Sequence, residues 1–398
     1  MSKGQGTGEA NEPMSDKCDV LNQRTFVATL IGGGKAYSNT KYLKDRSASK
    51  IKAEIAEESD LPSVWAWCTQ TALKMSYPSY FCSGDWLEAV EKTKGRSNNL
   101  LVIIVKDDDE ILGVLPLLKH RNYLFGTDLR MLGSEFYPDP LGVIAADKDQ
   151  DVVINFIKLY LKSIKGWDRL FLDWMLEDEV NRWSLSANIV SEAPYRILDN
   201  DFDALLSEFK KKKRYNLKST VKKSDDSGIE FVSNVEELMN KECLDALLSI
   251  HKKRSAQRGI NSSFSGSNVE NLHRYLCDNS NFVKYFLLKL ESRIVAVIYG
   301  FEYGERFFYY QVSHDPEFDD LSPGSVLLYK VIEDCCARGV KEFNFLQGGE
   351  SYKKVWAKDS RDLYQCILYN DRFRAEILKM VSSCKAAVKV LRKKMLSW

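Results

Sequence analysis

The sequence has little histidine, no paired-cysteine motif and no long apolar run. Four histidines, His120, His251, His273 and His314, are scattered along 398 residues, and none belongs to an HExxH or HxH pattern. This spacing argues against a metal centre built on histidine. The nine cysteines are Cys18, Cys68, Cys82, Cys243, Cys277, Cys335, Cys336, Cys366 and Cys384; no two form a CxxC pair. An odd number at irregular spacing argues against a disulfide framework or a structural zinc, and for incidental thiols in a reducing compartment. The strongest apolar runs, Leu100–Val105 and Ile294–Phe301, fall far short of the ~20 residues of a spanning helix. The first 25 residues are polar, without the apolar core of a secretory signal. Charge of one sign is also lacking: 57 Lys+Arg face 56 Asp+Glu, for a net charge of +1. A general nucleic-acid binder is usually far more basic. The expectation is a cytoplasmic protein with no spanning helix.

Apolar residues make up 44% of the chain and aromatics 12%, enough for a sizeable core. The length fits two domains with flanking segments. Residues 1–60 carry little periodicity and read as a mostly disordered leader, with a short helix near Ile51–Glu58 and order beginning near Leu61–Trp67. Leu100–Val105 and Ile111–Leu118, joined by the acidic turn Asp107–Glu110, read as a hairpin. A helix pattern over about Asp151–Ile164 stops at Gly166, and a strand pattern follows over Trp167–Trp174. The second half repeats this plan. Phe282–Leu290 and Ile294–Phe301 read as a hairpin, about Ser325–Arg338 as a helix stopped by Gly339, and Glu342–Leu346 as the next strand. The segments ILGVLPLL and IVAVIYGF also resemble each other. This order in both halves predicts an internal repeat. Between the copies, Asp201–Ser255 reads as a short helix, a basic stretch, a strand at Ile229–Ser233 and a helix from Val235.

Four constellations carry potential chemistry. The turn Leu321–Ser325, LSPGS, precedes a helix whose first N–H groups would welcome a phosphate, with Ser325 as the expected cap. An aromatic strand, Phe307–Val312, leads towards it and contains Gln311. Gln347–Lys354, QGGESYKK, places two glycines, Glu350, Tyr352, Lys353 and Lys354 after a core strand, where α/β sheets hold ligands. Lys210–Lys223 is strongly basic, with Tyr215 as its one aromatic, so stacking of successive bases is poorly supported. His251 lies beside Arg254 and Arg258 in SIHKKRSAQRG, as a base or an anion contact. Each has a bland alternative: a capped loop, a solvated turn, a charged helix face, a surface histidine.

Taken in order, LSPGSVLLYKVIEDCCARGVKEFNFLQGGESYKKVWA resembles the C-terminal core of the CelD/BcsL-type acetyltransferases, a branch of the GNAT superfamily. The resemblance extends upstream through YYQVSHDPEF, SIHKKR, KRYNLKS, DDDEILGVLPLL and DWLEAV, covering about residues 80–370. It departs from the family at Asn344, where an aspartate is usual, which puts a general base there in doubt. The resemblance implies an α/β (α+β) fold of two tandem GNAT-like domains, each a mixed, mostly antiparallel sheet flanked by helices, similar to the Fem-type aminoacyltransferases. The expected layout is a leader over 1–60, a non-catalytic domain over 61–200, a catalytic domain over 201–370 and a basic amphipathic tail over 371–398. The first domain has no Ser-Pro-Gly turn before its helix.

The activity implied is acyl transfer from acetyl-CoA or another acyl-CoA to an amine, without a metal. The donor would lie along Gln311 and Val312 and at Leu321, Ser322, Pro323, Gly324 and Ser325. Tyr352 would protonate the leaving thiolate, with His251, Glu350 or a water as base. Lys213, Arg214, Asn344, Gly348 and Lys353 are the expected substrate contacts. The implied acceptor is a small-molecule or sugar amine of an envelope or exopolysaccharide precursor. The protein would then serve polysaccharide biosynthesis machinery, with the tail as a peripheral contact at the inner membrane face. The rivals are aminoacyl transfer from charged tRNA, which is the one nucleic-acid reading, and a non-catalytic subunit of a polysaccharide assembly.

Overall fold

The structure, a computed structural model, describes residues 26–27, 50–94, 99–122, 126–233, 240–259, 264, 266–371 and 375–381. Most of the expected leader, the start of the helix expected from Val235 and residues 382–398 of the tail lie outside these residues, and so do the leader's disorder and most of the tail's amphipathic helix.

The chain forms one mixed sheet with helices on its faces. The strands are β1 (Phe26–Val27), β2 (Ile51–Ile55), β3 (Leu100–Asp107), β4 (Glu110–Asn122), β5 (Gly126–Met131), β6 (Ile144–Ala145), β7 (Arg169–Met175), β8 (Ala187–Ile197), β9 (Ile229–Val232), β10 (Val283–Leu290), β11 (Arg293–Tyr303), β12 (Arg306–His314), β13 (Glu342–Asn344) and β14 (Asp359–Tyr369). The helices are α1 (Leu61–Ala72), α2 (Gly84–Lys94), α3 (Gln150–Ser163), α4 (Glu177–Trp183), α5 (Phe202–Ser207), α6 (Lys211–Asp226), α7 (Asn240–Arg258), α8 (Ser267–Asn279), α9 (Pro323–Arg338) and α10 (Ser351–Trp356).

The repeat predicted from sequence corresponds to a repeated order of elements. Each half has a tight hairpin (β3–β4 and β10–β11), a third strand (β5 and β12), a helix (α3 and α9) and a strand parallel to the third (β7 and β13). Each hairpin turn holds a non-glycine residue in the left-handed region, Asp108 at φ 53° and Glu291 at φ 54°. Val153, Phe156, Ile157, Tyr160 and Leu161 put the apolar face of α3 on β2–β4, and α9 covers β10–β12 with Val326, Leu327, Val331 and Ile332. Gly339 ends α9 in a left-handed C-cap at φ 81°, whose N–H reaches Cys335 and Cys336 carbonyls. α3 ends earlier than expected, at Ser163, with Gly166 in the following turn.

The halves exchange their last strands, which no local pattern foretold. β8 leaves the first half to pair antiparallel with β13, Asn344 opposite Tyr195. β14 crosses back to pair antiparallel with β7, Tyr369 opposite Arg169. β8 and β14 pair with each other in the middle of the sheet. Aromatics reinforce the junction: Tyr80 stacks on Phe301 at 4.1 Å, and Trp86 and Phe81 meet edge to face at 4.9 Å. All four are fully buried, worth about 1.5–3 kcal/mol for a side chain of Phe size.

The segment Ile51–Ile55 corrects one expectation. It is a strand, not a helix, because Ile51 and Ala53 alternate inward against β3. Its register, Ile51 opposite Asp107, moves the ordered fold upstream of Leu61.

Candidate active site

The site begins with the divergence of two parallel strands. β12 and β13 pair at Arg306–Glu342, Phe307–Phe343 and Phe308–Asn344. There β13 ends, while β12 runs on from Tyr309 to His314. The β12 edge facing β13 has no strand partner beyond Phe308 among the described residues, so its backbone donors and acceptors face a gap. A cavity of about 400 Å³ fills this gap, within the usual range for a small-ligand site. Its walls include Tyr309–Val312 from β12, Phe345–Gly348 after β13, and Glu350, Tyr352 and Lys353 around the start of α10. The first half closes the other side through Phe136, whose carbonyl accepts from the Tyr310 hydroxyl at 2.8 Å.

The turn after β13 is shaped by close approach. Leu346 is left-handed at φ 57° and Gly348 sits at φ 116°. A Cβ on Gly348 would meet Glu350 Oε2 at 2.4 Å and push that carboxylate aside, and its positive φ favours glycine in any case. Lys353 is buried, donating to the Gln347 carbonyl at 2.7 Å and pairing with Glu350 at 3.0 Å. Tyr352 lies in the first turn of α10 rather than in a loop, 39% exposed. Burial pushes its phenol up to about 12 despite a hydrogen bond with Tyr309.

At the far end of β12, α9 begins. The structure corrects its cap: Ser322, left-handed at φ 51°, precedes Pro323, and Ser325 is inside the helix with its N–H donated to the Ser322 carbonyl at 2.9 Å. The first turn of α9 has no acidic residue. Arg254 reaches His314 Nδ1 at 2.6 Å and His314 Nε2 reaches Asp319 at 2.9 Å, a network in which Nε2 carries the proton. Burial, then Arg254, lowers the imidazole pKa. Gly324 packs on this ring: a Cβ there would lie 2.9 Å from Nδ1.

The expected site residues divide accordingly. Gln311, Val312, Gly348, Glu350, Tyr352 and Lys353 share the cavity. His251 sits behind it on α7, its Nδ1 engaged by Ser313 at 3.2 Å and Gln311 at 3.3 Å; burial, then Arg254, lowers its pKa. Leu321–Ser325 form the α9 start beyond the end of β12. Lys213 and Arg214 are on α6 and line none of the cavity; Arg214 donates to the Ser207 carbonyl at 3.3 Å. Asn344 is 1% exposed and spends both side-chain ends internally, on the Tyr77 hydroxyl at 2.8 Å and the Leu346 N–H at 2.7 Å, so it is a structural residue here.

One residue escaped the sequence reading. Asp139 is fully buried, and neither carboxylate oxygen has a hydrogen-bond partner of good geometry. Burial raises its pKa to about 7, opposed by Lys353, by the nearby Gln347 backbone and by Arg361. Asp139 does not line the cavity, but Lys353 and Gln347, which do, act on its carboxyl group. Its only sequence signal is an aspartate between two prolines, Pro138 and Pro140.

Residues 211–354, from α6 into α10, match the family model described as the acetyltransferase (GNAT) domain. The chain thus carries an acyltransferase domain of the GNAT type. Among solved structures, FemX superposes with a TM-score of 0.56 at 14% identity, covering 76% of this chain and 95% of that one. A conserved protein of unknown function from Bacteroides thetaiotaomicron gives 0.50 at 12% identity, covering 79% and 98%. At such identities the similarity concerns the fold, and it extends over both halves. No curated protein matches the sequence. None of the described helices is long and apolar enough to cross a membrane.

Proposed function

We propose that the protein is a CoA-dependent N-acyltransferase whose donor lies in the gap between β12 and β13. The observation that carries this reading is the run of β12 past Phe308, open on one edge, ending beside a helix start free of acidic residues. The pantetheine arm would hydrogen-bond along Tyr309–Val312, and the pyrophosphate would lie at the α9 start, near Arg254. In the reaction, the acceptor nitrogen attacks the thioester carbon. A backbone N–H of β12 stabilises the oxyanion, the C–S bond breaks and an amide forms. Tyr352 gives its proton to the leaving thiolate and recovers one from solvent. The proton released by the amine needs an acceptor of proton affinity near neutrality. Asp139 fits that requirement and, being buried outside the cavity lining, would receive it by relay through a water or Lys353.

The sequence resemblance to CelD/BcsL-type acetyltransferases points to an amine of a small molecule or of an envelope or exopolysaccharide sugar as acceptor, handled at the cytoplasmic face. The test is calorimetric titration with acetyl-CoA, followed by turnover on a panel of amino sugars and small amines. Saturable binding with amine-dependent thiol release supports the reading. Absence of acetyl-CoA binding overturns it, and binding without any turnover favours a non-catalytic subunit. A second reading, aminoacyl transfer from charged tRNA, rests on the exposed basic face of α6, where Lys211, Lys212 and Lys213 follow one another. Retention of charged tRNA in place of acetyl-CoA would select it.

A further inference from the structure

The cavity between β12 and β13 draws its wall from both faces of the sheet. Successive residues of a strand point to opposite faces, and at this split Tyr309 and Tyr310 do so. Tyr309 and Phe345 belong to the core that they share with α9. Tyr310 and Leu346 pack into the other core, which includes Phe136 of the first half and Phe264, with Val269 of α8 against it. All of these residues line the one cavity. A donor held at the α9 start would therefore enter along the Tyr309 face, where the Tyr352 ring also meets Tyr309, 6.4 Å away. The Tyr310 face is left for something else.

The first half supplies a rim to this cavity. Tyr137 lines it and is 53% exposed, on a left-handed backbone at φ 54°. Non-glycine residues adopt that conformation rarely and at a cost, and a ring so exposed gains little from burial in return. The segment that carries it is pinned from three sides. Trp174 Nε1 donates to the Ser134 carbonyl at 2.9 Å, the Tyr310 hydroxyl donates to the Phe136 carbonyl at 2.8 Å, and Lys94 pairs with Glu135 at 2.7 Å. Tyr137 is thus presented on a fixed backbone, and the polar groups of these three contacts are spent. With Phe136, Phe264 and Val269, the rim offers a second substrate mainly apolar and aromatic surface.

We propose that the acceptor enters on the Tyr310 face, and that it is a primary amine carried on an apolar or aromatic body, with Tyr137 as a specificity-determining residue. The inference rests on the acyltransferase reading and names the acceptor class for it. The body would lie against Tyr137 and Phe264, with the amine leading. Its nitrogen replaces sulfur on the acyl carbon, the leaving thiolate takes the Tyr352 proton, and the amine gives one up to the base. A sugar would bring several hydroxyls to a rim whose hydrogen-bonding groups are engaged, and each hydroxyl left unpaired weakens binding. The open rim at Tyr137 also suits a molecule arriving from solvent better than a long acyl group of the donor, which gains most in a closed pocket.

The test is calorimetric titration of the full chain, with CoA present, using 2-phenylethylamine and glucosamine in turn. The expected result is saturable binding of 2-phenylethylamine and at least about tenfold weaker binding of glucosamine. Tyr137→Ala should weaken 2-phenylethylamine binding at least about tenfold, whereas Tyr137→Phe, which keeps the ring, should bind as the parent does. Val269→Lys, on a separate element, should also weaken it by setting a like charge in the apolar wall, and serves should Tyr137→Ala impair folding. No saturable binding of 2-phenylethylamine by the parent overturns the proposal, as does glucosamine binding equally well. Unchanged affinity in the folded variants, or a loss in Tyr137→Phe as large as in Tyr137→Ala, overturns it too. Titration of acetyl-CoA into the same proteins keeps the two readings apart. Failure of the parent to bind it overturns the acyltransferase reading, whatever the amine does. A loss of acetyl-CoA affinity in Tyr137→Ala with amine binding intact assigns the rim to the donor and overturns the acceptor proposal.

Discussion

β12 runs on from Tyr309 to His314 after its last parallel pair with β13, whereas β5 has only Met131 beyond its last pair with β7. The helix starts differ too. α9 has no acid in its first turn and lies near Arg254, while the start of α3 is marked by Asp147, Asp149 and Asp151. A carboxylate at a helix N-terminus satisfies the positive end of the dipole and repels a phosphate that would otherwise settle there. The same order of elements thus yields a long open strand edge beside an acid-free helix start in one half, and a short strand beside an acidic helix start in the other. On the proposed reading, catalytic capacity follows a few residues of strand extension and the charge of one helix turn, rather than topology.

The largest expected effect tests the chemistry of the second half. Tyr352→Phe should slow turnover roughly 10²–10⁴-fold, the usual contribution of a positioned general acid. Acetyl-CoA affinity should hardly change, because only the hydroxyl is removed. Unchanged turnover would leave water as the proton source.

The next concerns the buried carboxyl between the halves. Asp139 has its pKa raised to about 7, so its stabilising contribution is complete below the unfolded value and lost as pH rises through about 7. Asp139→Asn should therefore stabilise the protein above neutrality, by at most about 4 kcal/mol, with no gain below about pH 4. If Asp139 also takes the amine's proton, the variant is more stable and slower, with a flattened pH–rate profile. Chemical unfolding at several pH values, beside turnover, separates the two effects.

Two further buried groups predict the shape of the stability curve. Glu179 is raised to about 7 by burial and acts in the same sense as Asp139. His273, buried and lowered to about 3, acts in the opposite sense: its contribution is present above its unfolded value, about 6.5, and is lost as pH falls. Between about pH 4.5 and 6.5 the slopes oppose each other. Glu179→Gln should tilt that interval towards greater stability at higher pH; a profile unchanged from the parent's would contradict the assignment.

The smallest effect lies at the start of α3. Asp151→Asn removes an exposed partner of Arg182 and one dipole-favoured charge, a loss of about 0.3–1 kcal/mol. It should create no second acetyl-CoA site, because β5 still lacks the extended open edge. Two sites in the variant would show that helix-start charge alone separates the halves.

Much of this was legible in the sequence because hairpins and amphipathic helices declare themselves by period. The β3–β4 and β10–β11 pairs and the α9 face are examples. Gln311, Gly348, Glu350, Tyr352 and Lys353 converge because they flank one strand pair close in the fold. What was illegible depends on distant partners. Ile51–Ile55 satisfies helical and strand periods alike, and only β3 decides between them. The exchange of β8 and β14 leaves no local trace, and Phe136 lines the cavity only because the first half folds against Tyr310. Asn344 reads from sequence as a substrate contact, but its amide is held by Tyr77, far away in the chain.

Titration of acetyl-CoA into the parent protein and into Ser325→Asp tests the central claim most directly. Gly324 is a poorer position, since a side chain there would strike His314. Ser325 is exposed in the first turn of α9, so an aspartate should keep or slightly raise thermal stability while repelling a phosphate. The account predicts one site in the parent and at least about tenfold weaker binding in the variant, a loss of about 1.4 kcal/mol or more. Equal affinity in the two proteins, with the variant folded, would contradict it.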